Sequence, residues 1–333
     1  MLRYHEATKH SPARVAGSRH RLDWVNQPLP FKVYRDLEPM PLPLSIEPSR
    51  KPALRSLREL LAVQSGAERI PSLEDVARLC ILSNGITRVR RLAGGGEIAF
   101  RAAGTTGALY HVELYLVCRE LPDLPAGVYH FGAHDNALRR LRAGDHRARL
   151  VEATGGEPSV ARAPALIVAT STFWRNAWKY EARAWRHAFW DTGTVIANLL
   201  ALAGGSDLPP RVVVGFADNP VNELVGADGV SEAAVCLVAL GTTPDGPPPA
   251  PPAAPLDLRT LPVSARDVRY PLIEEAQAAS SLESGTAAAA WRSRFAALRD
   301  GAIDADAADR IRLPRLSDTR DEPIEAVIRR RGS

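Results

Sequence analysis

Three segments concentrate residue types that bind ligands or move protons. The first is Arg101-Ala102-Ala103-Gly104-Thr105-Thr106-Gly107-Ala108-Leu109-Tyr110. Its small residues, two hydroxyls and two glycines stand just ahead of a strong strand pattern. Such a loop lets backbone N–H groups approach a flat or anionic ligand closely, although a tight turn entering a sheet has the same composition. The second runs from Phe173 to His187. Lys179, Arg183 and Arg186 recur there at i, i+4 and i+7, one face of a helix. Three cations on one face repel one another unless an anion or acids lie opposite. Trp174, Trp178, Trp185 and Trp190 are four of the six tryptophans in the chain. Basic and aromatic residues at the start of an apolar helix suit a planar anionic cofactor or substrate, and equally a helix start packed by aromatics. His187 alone reads as a core histidine. The third, Val214-Gly215-Phe216-Ala217-Asp218, places a glycine at the end of an apolar strand, where α/β folds often meet ligands.

Lysine usage sharpens the second segment. Of 42 basic residues only Lys9, Lys32, Lys51 and Lys179 are lysines, leaving 42 minus 4, or 38, arginines. A chain that otherwise uses arginine keeps lysine by chance or where a proton must come and go, because arginine stays charged at any useful pH.

The elements that must position these segments follow from periodicity. Leu54–Val63 has helical spacing, and Ser72 caps a second helix ending near Asn84-Gly85. His111–Arg119, Gly127–Phe131, Ala137–Leu141, Ala165–Thr170, Arg211–Phe216 and Ala233–Leu240 read as strands, several of them buried. The longest helical signal, about Asn176–Ala203, is apolar almost all round in its second half and predicts a central, buried helix. A short helix covers Asn219–Val225. Residues 1–48 read as an extended N-terminal arm and 49–243 as one domain. Pro244 to Pro255 holds seven prolines in twelve residues, so 244–258 is a polyproline-rich linker. Residues 259–333 form a connecting segment, helical at Ile273–Ala279 and Thr286–Leu298, with a polar end.

Composition narrows the function classes. The chain has 333 residues, 45% of them hydrophobic and 24% charged, as a globular protein has. The net charge of +4 is interspersed, which argues against a nucleic-acid partner. No apolar run is long enough for a membrane span, and the N-terminus carries no secretory pattern. Three separated cysteines fit a reducing cytoplasm and form no metal site. Walker, HExxH, CxxC and GxSxG motifs are absent.

Read together, GALY-x-x-ELYLV, PAGVYHF, KY-x-x-R-x-x-R-x-x-x-x-D-x-G-x-x-x-x-N and VVVGFAD, over about residues 75–241, resemble the SagB-type dehydrogenases of the nitroreductase superfamily. These are flavin enzymes related to the azoline oxidases of thiazole/oxazole-modified peptide pathways. The arm resembles the N-terminal segment of tandem members that carry two nitroreductase-like halves. The resemblance implies an α+β nitroreductase-like fold: an antiparallel or mixed central sheet, flanking helices, and a long buried central helix. It implies FMN in a groove between two paired copies, either a homodimer or a second half, and a small-molecule or peptide substrate. Thr105, Thr106 and Gly107 would then face the flavin, Gly215 and Phe216 would form a second flavin-side segment, and Arg101 and Arg183 would join them in binding the cofactor. Lys179-Tyr180 matches the family's acid/base pair.

Departures point the other way. Gly104, Thr105 and His111 replace the usual proline, serine and proline. The early arginine-rich flavin motif has no match beyond Arg50-Lys51 and Arg55, yet Ile324–Ser333 resembles its opening, as if a second half began there. The alternative is a degenerate, non-catalytic half that completes a partner's flavin site.

Overall fold

The computed structural model describes residues 1–59, 68–92, 94–300 and 322–331. Its frame is a seven-stranded sheet in the order β1 (Met40–Pro41), β6 (Ala137–Ala143), β5 (Gly127–Gly132), β4 (Val112–Cys118), β7 (Ala165–Thr172), β9 (Glu232–Leu240) and β8 (Pro210–Val213). Every neighbouring pair is antiparallel. The α+β architecture expected from the sequence, an antiparallel sheet with flanking helices, is present.

The two-residue period of the strands divides one sheet between two cores. Val112, Leu114, Leu116 and Cys118 of β4, with Ala165, Ile167 and Ala169 of β7, face one core. Tyr115 and Val117, with Leu166 and Val168, face the other. The first core is closed by α4 (Leu73–Asn84) and α8 (Ala184–Gly205), and the second by α5 (Arg147–Ala153), α6 (Pro158–Ala161) and α9 (Asp218–Val225). Leu199 and Leu202 of α8 are fully buried, each contributing about 1.5–3 kcal/mol. α4 starts on the capping box that Ser72 announced, with Asp75 answering the Ser72 N–H.

The long helical region runs over residues 173–205 but is not continuous. α7 (Phe173–Tyr180) stops at Glu181, whose φ of 50° and ψ of −141° no regular helix accommodates, and a 3-10 turn over Glu181–Arg183 leads into α8. The expected central helix is present and its second half is buried at Val195, Ile196, Leu199 and Leu202, but one face is open. Phe189 and Trp190 are 44% and 53% exposed, and Gly193 and Ala197 share their open face.

Four other expectations change. The arm is not merely extended: it forms α1 (Leu2–Thr8) and α2 (Pro12–Ala16), because Tyr4 packs edge-on against Trp185 and donates to the Ala182 carbonyl. β8 is an edge strand with Arg211 and Val212 exposed, not a buried one. A separate hairpin, β2 (Ile86–Arg91) with β3 (Glu97–Arg101), precedes the first loop of interest. The polyproline stretch lies along the domain, Arg142 and Arg149 donating to the carbonyls of Ala254 and Pro251.

Of the early helix, α3 (Ala53–Glu59) is described, and its expected end at 60–63 lies outside the described residues, as does most of the polar end, 301–321. In the connecting segment α10 (Pro271–Ser280), α11 (Gly285–Asp300) and α12 (Ile324–Arg331) pack back on the domain, with Ile324 and Ile328 inside the first core. No helix among the described residues is long and apolar enough to cross a membrane.

Candidate functional site

The loop between β3 and β4 is held by the polar face of α8. Asp191 accepts from the Thr106 N–H and hydroxyl, both at 2.7 Å. Thr194 donates to the Gly104 carbonyl at 2.7 Å, and Asn198 to the Ala102 carbonyl at 3.2 Å. The Thr105 hydroxyl accepts from the Tyr110 N–H. Gly107 has φ +72°, and a Cβ added there would stand 2.8 Å from the Tyr180 hydroxyl oxygen. The loop tip and Tyr180 are therefore in direct contact, which only a glycine permits.

Asp191 is itself positioned. His111 Nε2 lies 2.7 Å from Asp191 Oδ2, and His111 Nδ1 lies 2.8 Å from the Ser171 hydroxyl. These are the residue types of a hydrolytic triad, but all three are buried, so Ser171 has no substrate to attack and the row positions the loop. Burial alone would raise the Asp191 carboxyl, yet hydrogen bonds from His111 and Thr106 hold it below its usual range.

On the other side Asn176 donates to the Thr106 carbonyl at 3.2 Å and accepts from His187 Nδ1 at 2.6 Å. The His187 ring stands edge-on to Tyr180, centroids 4.8 Å apart. Burial drives its pKa down to about 4, so the ring is neutral and donates from Nδ1.

Of the residues singled out in the sequence, Thr105, Thr106, Gly107, Lys179 and Tyr180 gather here. Lys179 is exposed, its ammonium 5.6 Å from the Tyr180 ring centroid. Arg183 and Arg186 no longer share a helical face with Lys179, because the helix breaks at Glu181. They donate instead to the carbonyls of Thr8 and His5 at the end of α1, whose partial negative charge opposes them. Arg101 lies beneath the loop. It is buried between Phe31 and Tyr110, each ring centroid 5.1 Å from its guanidinium, and donates to the Pro30 carbonyl. Burial pulls its pKa down to about 10.

Gly215 and Phe216 are not brought to the loop. Phe216 belongs to the second core. A Cβ on Gly215 would meet Trp291 at 2.9 Å, and Arg292 of α11 donates to the Gly215 carbonyl. Lys51 caps α8 at the Gly204 carbonyl and pairs with Asp207.

Sequence reasoning passed over Asp191, Thr194 and Asn198 as site residues. Their signal was three polar residues at i, i+3 and i+7 on an otherwise apolar helix. Asp191→Ala removes the acceptor of three donors, at about 1–3 kcal/mol for each group left buried and unpaired. The Thr106 amide should then exchange with solvent far faster by hydrogen-exchange mass spectrometry, while strands β4 and β7 stay protected. Unchanged protection of 104–110 would mean the loop is held by something else.

Residues 86–242 match the nitroreductase family model. A crystal structure of a nitroreductase-type protein from Anabaena variabilis ATCC 29413 superimposes with a TM-score of 0.63 and 26% identity, covering 85% of this chain. The chain spans 54% of that protein's length. The nitroreductase-type protein MJ1384 of Methanocaldococcus jannaschii is 22% identical over 154 residues, 46% of this chain and 74% of that protein. A chain in the Escherichia coli microcin synthetase McbBCD complex aligns at 22% identity and a TM-score of 0.44, over 55% of this chain and 73% of that one.

Proposed function

From a nitroreductase family domain over residues 86–242, we propose a flavin-dependent oxidoreductase of the SagB, azoline-dehydrogenase type, acting on a peptide or other small natural-product substrate. One observation carries the reading: the Tyr180 hydroxyl is set against Gly107, with Lys179 open beside it. The fit to FMN rests on the same place. The Gly104–Gly107 backbone is pinned by Asp191 and Thr194, and Gly104 and Gly107 are exposed. FMN bound there would supply hydride-accepting, two-electron chemistry. Thr105, Thr106 and Gly107 would bind it. Lys179 Nζ and Tyr180 Oη are the groups of this chain that can hold or move the accompanying proton. The open face of α8 at Phe189, Trp190, Gly193 and Ala197 is where a second copy, or a second nitroreductase-like half, would pack.

A second reading has its own support. Trp291 and Arg292 cover Gly215, Phe216 faces the other core, and Lys51 is engaged at the end of α8. Those are the places where the rest of a flavin site would be expected. A half built this way would complete a partner's flavin site without turning over itself.

Flavin content separates the two. The full chain, alone and with a second half supplied, should be yellow and release FMN on denaturation. A protein that stays colourless after incubation with FMN would remove the first reading and leave the second.

A further inference from the structure

The N-terminal arm does more than cover Trp185. Helices α1 and α2 stand opposite the Tyr180–Arg183 turn and flank an open cleft of about 470 Å³, within the range of about 300–1,000 Å³ typical of small-ligand sites. Its charge is one-sided. Lys9 and Arg14 line it from the arm and Lys179 and Arg183 from the turn, while Glu181 is the single carboxylate in the wall. His10 also lines it, and so does His20, whose Nε2 donates to the Trp178 carbonyl at 2.9 Å. Some of this charge is answered: Lys9 pairs with Glu6, Arg14 donates to the Ala7 carbonyl and Arg183 to that of Thr8. Lys179 has no carboxylate within 4.0 Å among the described residues. Tyr180 and Tyr270 supply apolar wall.

We propose that this cavity is a binding site for a small ligand bearing a carboxylate or phosphate, which Lys9 and Arg14 of the arm clamp while the ligand's body rests on Tyr180 and Tyr270. A cluster of cations lining a cleft lowers the energy of an anion there, and charge-assisted hydrogen bonds from arginine fix its orientation. The clamp delivers the rest of the ligand to Lys179 and Tyr180; its consequence for chemistry, though not for binding, rests on the function proposed above. The shared chemistry has two sources, the phosphate of FMN or the carboxylate of a substrate.

The test titrates the full chain with FMN, riboflavin and succinate, in wild type and in Arg14→Glu, Lys9→Glu and Arg14→Lys. Arg14 and Lys9 are exposed, so the fold tolerates all three. Losing a charge-assisted bond should weaken the clamped probe at least about tenfold in the two glutamate variants, and Arg14→Lys should retain most of the affinity. If FMN weakens and riboflavin does not, the clamped group is the flavin phosphate. If succinate weakens while FMN is unchanged, it is a carboxylate ligand. If neither weakens, the inference is overturned even when the protein carries flavin. If succinate depends on Arg14 in a protein that binds no flavin, the cavity stands and the flavin reading falls.

Discussion

On the function proposed above, Lys179→Arg should turn over at no more than about a hundredth of the wild-type rate, because positioned acid–base groups contribute about 10²–10⁴-fold. Arginine keeps the charge and nearly the reach but cannot give up its proton, so the loss should match that of Lys179→Ala. Lys179 is exposed, and neither variant should disturb the fold. Flavin content separates the roles: turnover lost with flavin retained identifies a proton carrier, whereas flavin lost in either variant identifies a binding residue. Wild-type turnover in Lys179→Arg would remove the lysine from the chemistry and leave Tyr180.

The second large effect is on stability, at another of the four lysines, Lys32 of the arm. Lys32 enters the sheet and donates to Glu232 at 2.8 Å and to the Tyr115 hydroxyl at 2.9 Å. Tyr115 and Thr170 donate to the other Glu232 oxygen. Lys32→Met strands a buried carboxylate, which typically costs about 3–5 kcal/mol, read as a lower urea midpoint at unchanged slope. Lys32→Met combined with Glu232→Met should recover much of the loss, since a buried pair replaced by apolar groups is often near neutral. A Lys32→Met protein as stable as wild type would show that the clasp holds nothing.

The sign with pH follows from both partners. Burial opposes each charge, yet each partner overrides it, so the Lys32 pKa is raised above 10.5 and that of Glu232 is lowered below 4.5. The pair's contribution is whole between those values. It fades as pH falls through the Glu232 pKa and as pH rises through that of Lys32, and the Lys32→Met acid limb should be correspondingly flatter.

The sheet was legible because burial on both faces leaves apolar runs: VELYLVC, ALIVAT and AAVCLVAL each became a central strand. The hairpin at 86–101 was not, because its arginines and exposed Val89 and Ile98 give no buried face to read. The break at Glu181 carries no glycine or proline to announce it. The loop at 104–107 and the Lys179-Tyr180 dipeptide were found from composition and from the resemblance, and the structure sets them side by side. Gly215 was read as a place for a ligand. Trp291 packs there instead, a tertiary contact from a helix more than seventy residues later that no local pattern contains.

Helix α12 has a further consequence. Its Ile324 and Ile328 sit in the same core as Leu42, and Pro323 bridges to Pro52. The first core is thus sealed by residues almost three hundred positions downstream of those that open it. Closing so long a loop is entropically slow, and synthesis proceeds from the N-terminus. A nascent chain that has made the sheet and α8 must therefore keep that apolar flank uncovered until α12 arrives. During that interval the uncovered flank is the surface on which a chaperone would bind the chain or on which it would aggregate.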